Sequence, residues 1–171
     1  MFCWQVAYAP NYLCKEQRIT TIAEIAASGY DVIPAAVPGN FEIDMMKAGK
    51  LEDIYYSTNT LKAQELENLH LWYFTKIEIE DVDSLLHFDG IDTIADIYVN
   101  GVLVKSVDNM FLGYDVYPDW KQGENELVVH IKPVCIEARK YRIPASSNAP
   151  KYNGGSLYVR KAAHMYTWDI M

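Results

Sequence analysis

Two β-leaning runs, Thr93-Ile-Ala-Asp-Ile-Tyr-Val99 and Val102-Leu-Val-Lys-Ser-Val107, stand on either side of Asn100-Gly101. A two-residue link between antiparallel strands needs positive φ at both positions, and Asn-Gly meets that need at the least steric cost. This stretch is therefore read as a hairpin. A lone hairpin is marginal in water, so it requires further strands and a layer to cover its apolar face. The neighbouring sequence supplies candidates. From Phe74, the run Trp72 to Glu80 alternates, with Ile77 and Ile79 on one face and Lys76, Glu78 and Glu80 on the other. Leu85 to Phe88 is a short apolar run closed by Asp89-Gly90, and Met110 to Val116 and Glu126 to Ile131 read as two more strands. Short strands with turn residues between them give an all-β sandwich.

The flanking zones are less regular. Upstream, Ile19 to Ser28 has helical spacing with Gly29 as its stop, and Val32 to Gly39 is an extended stretch broken by two prolines. Asn40 is placed to cap a short helix, Phe41 to Ala48, with Asp44 in the first turn facing the positive end of the helix dipole. Tyr55-Tyr56 and Asn59 fall in a polar connection, and Leu61 to Leu69 suits a helical turn or two. Downstream, Cys135 to Tyr141 suits a short helix, Pro144 to Gly155 is a long loop, and a closing strand carries Trp168-Asp169. At 171 residues the whole chain, 1–171, is expected to be a single domain with a core that needs no disulfide.

Composition removes several classes of function. The formal charge is -8 with no Lys/Arg cluster, which disfavours nucleic acid because phosphate binding needs a cationic surface. No run reaches membrane-spanning length, and the N-terminus lacks the basic start and apolar stretch of a signal peptide. Cys3, Cys14 and Cys135 are an odd set without CxxC spacing, which fits a reducing compartment, here taken as cytoplasmic. His70, His87, His130 and His164 are scattered, so no metal site is expected. Gly154-Gly155 lacks the spacing of a phosphate cradle, and no Gly-x-Ser-x-Gly elbow occurs, so no cofactor is expected. The carboxylates fall mostly in surface patterns such as Glu65/Glu67, Glu78/Glu80 and Asp81/Asp83. None of them reads from the sequence as a general acid with an apolar pocket around it.

What remains is the C-terminal Trp168-Asp169. An indole covers the apolar face of a pyranose while a carboxylate accepts from its hydroxyls. The same pair also serves ordinary structure, a Trp closing a core and an Asp opening a turn, and the dipeptide alone leaves both readings open. The strand-like segment stops without a cap or turn, which is read as a chain cut short.

The ordered series Val37-Pro-Gly39, Asp44, Asp53 with Tyr55-Tyr56 and Asn59, Trp72-Tyr73, Leu86-His-Phe-Asp-Gly90, Asp96-Ile-Tyr-Val-Asn-Gly101, Asn109-Met-Phe111 and Gly123-Glu-Asn-Glu-Leu127 resembles the N-terminal domain of family 2 glycoside hydrolases, most closely their β-mannosidase branch. Tyr158-Val-Arg-Lys-Ala162 and Trp168-Asp169 look like that branch's Arg-Lys…Trp-Asp-Trp-Gly-Pro segment. The resemblance spans roughly residues 32 to 171. It implies a galactose-binding-like jelly-roll β-sandwich, the first domain of an enzyme whose TIM barrel holds both catalytic glutamates of a retaining mechanism. Neither glutamate's segment is present, so the resemblance implies a non-catalytic domain. By position, Trp168 becomes a pocket wall for a terminal β-linked sugar, mannose above all, and Asp169 its hydrogen-bond acceptor. Ile170 stands where the branch has a second Trp and Met171 where it has Gly. The loss of an indole there keeps the β-galactosidase, β-glucuronidase and exo-glucosaminidase branches open. A stand-alone carbohydrate-binding sandwich is the alternative of a different class.

Overall fold

The computed structural model describes residues 3–14 and 18–140. In chain order its elements are β1 (Gln5–Pro10), α1 (Asn11–Cys14), α2 (Ile22–Ser28), β2 (Asp31–Pro34), α3 (Phe41–Lys47) and α4 (Thr60–Ala63). A 3-10 turn over Gln64–Asn68 leads into β3 (Leu69–Ile79), followed by β4 (Leu86–Phe88), β5 (Ala95–Val99), β6 (Val102–Val107), β7 (Tyr114–Val116) and β8 (Gly123–Ile131). The short helix α5 (Val134–Glu137) and a 3-10 turn over Ala138–Lys140 close the described chain.

The hairpin forms as its turn dictates: Asn100 and Gly101 have φ of 50° and 81° and join β5 to β6. Six strands hydrogen-bond in the order β2-β1-β3-β8-β5-β6, every pairing antiparallel, and β4 and β7 form a separate two-stranded sheet. Leu86, Phe88, Tyr114 and Val116 from the small sheet pack on Ile77, Ile79, Ala95, Ile97, Val99, Leu127 and Val129 of the large one, with Trp120 at the edge. That is the layering expected of a mostly-β sandwich. Each fully buried side chain in such a layer contributes roughly 1.5–3 kcal/mol.

The opposite face of the large sheet departs from the sequence reading. Alternation from Phe74 sets Lys76, Glu78 and Glu80 on this face, and all three are exposed; Trp72 and Phe74, further back on the same strand, are not. At the other end Trp72 and Phe74 are buried with Ala7, Ala9, Tyr98 and Val128 beneath Ile19, Ile22 and Ile25. The cause is α2, which lies across this half of the sheet. Its apolar residues are fixed by two caps: a capping box between Thr21 and Glu24, and Gly29 at φ 70° as its C-terminal stop. β1 sits between β2 and β3 with both faces covered.

On the small-sheet side, the N-terminal half of β3 is covered by α3. Phe41 and Met45 pack with Val6 and Ile33, and Tyr73 lies against them. Asn40 caps α3, its side chain accepting from Ile43 N–H at 3.2 Å. Asp44 does more than face the dipole. It is 3% exposed, and both its carboxylate oxygens accept from Ala36 N–H at 3.2 Å. Burial pushes its carboxyl up, against the pull of that N–H and of Lys47. Asp44 thus ties α3 to the Val37-Pro-Gly39 turn, where a Cβ on Gly39 would meet Ala36 O at 2.1 Å.

Candidate functional site

Trp168, Asp169 and Ile170 lie outside the described residues, as do Arg160, Lys161 and the Pro144–Gly155 loop. What the structure shows is the platform from which that segment departs. After β8 the chain turns into α5, whose Cys135 and the following Ala138 are buried. The Cys135 thiol lies 3.7 Å from Glu67 Oε2, so α5 sits against the 64–68 turn. The described chain then ends at Lys140, whose ammonium pairs with Glu137.

Beside this exit is a cluster that sequence spacing did not reveal. His70 on β3 and His130 on β8 place Nδ1 and Nε2 2.8 Å apart, and His70 Nε2 lies 3.0 Å from Asn11 Oδ1. These partners assign the tautomers: His70 donates from Nε2 to Asn11 and accepts at Nδ1 from His130. Trp72 lies parallel to His130, ring centroids 4.6 Å apart and planes 8° apart, and the Tyr30 ring is 5.3 Å from the indole at a 30° tilt. Trp72 is 1% exposed and its indole N–H has no hydrogen-bond partner among the described residues. Burial holds His70 down to about 4, with Glu137 pulling up and Lys132 and Lys140 pushing down. Burial holds His130 down to about 3, with His70 and Lys132 adding to it and Asp96 opposing. Both rings are therefore neutral at pH 7. Antiparallel register creates the cluster, because Trp72 pairs directly with His130. No spacing within either strand could have announced it.

Next to it, Asp96 bonds Lys132 and Ser106, each at 2.6 Å. Burial pushes Asp96 up, but these two donors outweigh it and leave its carboxyl below the usual carboxylate range. On the small sheet, His87 lies 2.6 Å from Asp115 and 3.4 Å from Asp89, and the hydrogen bond it donates to Asp115 holds its pKa up. That pair is exposed to water, which weakens it.

The motif residues in the described region meet at structural junctions. Asn125 is 1% exposed; its amide donates to Lys121 O and Gly123 O at 2.7 and 2.9 Å and its carbonyl accepts from Asn100 Nδ2 and Lys121 N. Asn100 Oδ1 in turn accepts from Glu126 N. The Gly123–Leu127 motif thereby locks the Asn100-Gly101 turn. A Cβ on Gly90 would meet Met110 O at 2.7 Å, so Leu86–Gly90 and Asn109–Phe111 are likewise two halves of one contact.

The family profile described as "Glycosyl hydrolase 2 galactose-binding domain-like" matches residues 15–170. The chain belongs to this family. The galactose-binding-like domain is 28% identical over 152 residues to a "Beta-mannosidase" of Mus musculus, covering 80% of this chain and 17% of that protein. It is 30% identical over 143 residues to "Beta-mannosidase B" of Emericella nidulans, covering 78% of the chain and 17% of the relative. The crystal structure of a β-D-mannosidase from Dictyoglomus thermophilum superposes with a TM-score of 0.70 at 26% identity, over 96% of this chain and 19% of that one. An exo-chitosanase of Amycolatopsis orientalis shares the fold, at TM-score 0.61 and 20% identity, over 78% of this chain and 16% of its own. The chain thus spans about a sixth of the length of the curated relatives it matches.

Proposed function

We propose that this domain is the non-catalytic, sugar-contacting N-terminal part of a retaining glycoside hydrolase that removes terminal β-linked sugars, mannose first among them, and that it packs intramolecularly against a catalytic TIM barrel. The observation that carries this reading is the family match, which extends through residue 170 and so includes Trp168 and Asp169. Mannosidases recur by name among the relatives that match most of the chain. On this reading the chain by itself is inactive, and the two glutamates come from the barrel. The domain requires no cofactor or metal, and it works in a reducing compartment, the cytoplasm, where Cys3, Cys14 and Cys135 remain as thiols.

Trp168 would cover one face of the terminal ring and Asp169 would accept from its hydroxyls. A carboxylate contact that tightens as the ring flattens toward an oxocarbenium ion lowers the barrier and does more than lower KM. The test is Asp169→Ala in the full-length enzyme. Losing a charge-assisted hydrogen bond of that kind should cost about 2–4 kcal/mol in kcat/KM on an aryl β-mannoside. A change of less than about threefold would sink the role.

Ile170 supports a second reading of the sugar. Where the branch has an indole, an aliphatic side chain offers neither the ring face nor the N–H donor. Full-length enzyme assayed on aryl β-mannoside, β-galactoside, β-glucuronide and β-glucosaminide decides it, and a preference for anything but the mannoside moves the parent to another branch of the family.

A further inference from the structure

The turn between β5 and β6 carries a chemical liability of its own. Asparagine is a thermolabile residue, and glycine after it leaves the attacking nitrogen unshielded by a side chain. The reaction needs no enzyme. Gly101 N attacks Asn100 Cγ and closes a five-membered succinimide. The Cγ–Nδ2 bond breaks, and Nδ2 leaves as ammonia with the proton that Gly101 N gives up. One water then opens the ring, at Cγ to leave aspartate or at the main-chain carbonyl to leave isoaspartate. Nothing is oxidised or reduced, and water is the co-reactant.

Around Asn100 the structure opposes this chemistry. Its Oδ1 accepts from Glu126 N–H at 3.0 Å, and its Nδ2 donates to Asn125 Oδ1 at 2.8 Å. Its own N–H donates to Glu126 O at 2.9 Å. Both amide atoms are thus held on β8, and turning Cγ onto Gly101 N breaks both bonds. The two amides have one orientation each, because the N–H groups of Glu126 and Lys121 mark which atom is oxygen. Asn125 is 1% exposed and has no spare donor, since its Nδ2 already serves Lys121 O and Gly123 O. On the other side of the turn, a Cβ on Gly101 would lie 2.9 Å from Thr21 Cγ2, so the N-cap of α2 crowds the peptide that must rotate.

We infer that Asn100 is a latent modification site, kept unreacted by Asn125 and Glu126, and that an opening of this lock long enough to react converts it irreversibly to an aspartyl or isoaspartyl residue. The product cannot restore the lock. A carboxylate oxygen in place of Nδ2 meets Asn125 Oδ1, acceptor against acceptor. Isoaspartate also lengthens the main chain inside a two-residue turn whose φ values are 50° and 81°. A reacted hairpin therefore pairs less firmly with β8, and the change records that the domain has opened.

The test follows Asn100 in the whole protein, aged in mildly alkaline buffer at physiological temperature, by peptide mapping that separates the asparaginyl, aspartyl and isoaspartyl forms. The folded protein should react at least about tenfold more slowly than the same protein held unfolded in urea, since two hydrogen bonds must open first. Asn125→Ala should raise the folded-state rate by about tenfold. Ile97→Ala weakens the core but leaves the lock intact, and should raise the rate by less than about threefold. In the unmodified protein, urea below the unfolding transition should leave the rate nearly flat, because opening the lock exposes little surface. That measurement needs no variant to fold. Equal rates in folded and unfolded protein would overturn the proposal. So would a steep rise in sub-denaturing urea, no acceleration in folded Asn125→Ala, or equal acceleration by both variants.

Discussion

The two faces of the six-stranded sheet solve the burial problem differently. One face packs aliphatic residues, Ile77, Ile97, Val99, Leu127 and Val129, against a second sheet. The other buries Trp72 against Tyr30, His130 and His70 beneath two short helices, so titratable imidazoles are packed into its core. The first face depends on area alone. The second depends also on protonation state and on the register that brings β3 and β8 residues together.

The largest expected effect tests how deep the ringed face runs. Trp72→Ala should destabilise the domain by about 3–5 kcal/mol, as large as any aliphatic truncation such as Ile97→Ala at about 2–5 kcal/mol, measured by chemical denaturation. Trp72→Phe should cost much less than alanine, because it keeps an aromatic surface and removes a buried donor without a partner. If phenylalanine is as damaging as alanine, the indole N–H has a partner of consequence. Next comes the lock at the edge of the aliphatic face. Asn125→Ala strands Lys121 N–H and the facing carbonyls, for about 1–3 kcal/mol. Smaller again, Thr21→Ala removes the α2 cap that covers the ringed face, for about 1 kcal/mol.

The least visible effect at neutral pH is the one that separates the faces most cleanly. His70 and His130 are held well below their unfolded value of 6.5, to about 4 and 3. Their neutral forms therefore stabilise the fold fully above pH 6.5. As pH falls below 6.5 the unfolded chain takes up protons that the folded one refuses, and stability drops down to about pH 4 for His70 and further for His130. Thermal melts from pH 7 to 4 should show that decline, and H70Q/H130Q should flatten it. An unchanged slope in the double variant would assign the acid sensitivity to carboxylates.

Much of the aliphatic face was legible from the chain. Asn100-Gly101 announces its own turn, and the isoleucines of β3 alternate where one face meets water. Alternation does not place Trp72 and Phe74, because it reports burial on one face only when the other is left open, and α2 closes it. The same reason hid β1, which is buried on both sides and so lacks a polar stripe. Asn125 reads as a turn residue from its neighbours Gly123 and Glu124, and only the approach of Asn100 makes it a lock. His70 and His130 are sixty positions apart, and nothing but strand pairing relates them. As for the site, the match to the family reaches Trp168 and Asp169.

The strand order has a consequence for how this domain comes into being. β3 and β5 never touch as neighbours; each waits for β8, the last strand of the six to be made. Before Ile131 leaves the ribosome, the chain holds two unfinished pieces, β2-β1-β3 on one side and the β5–β6 hairpin on the other, each with an open edge. The hairpin can close early on its local turn, but the sheet cannot. Synthesis therefore exposes the β3 edge, with Trp72 and Phe74, for as long as translation takes to travel from Ile79 to Gly123, and that interval is when a chaperone or a second nascent chain would find it.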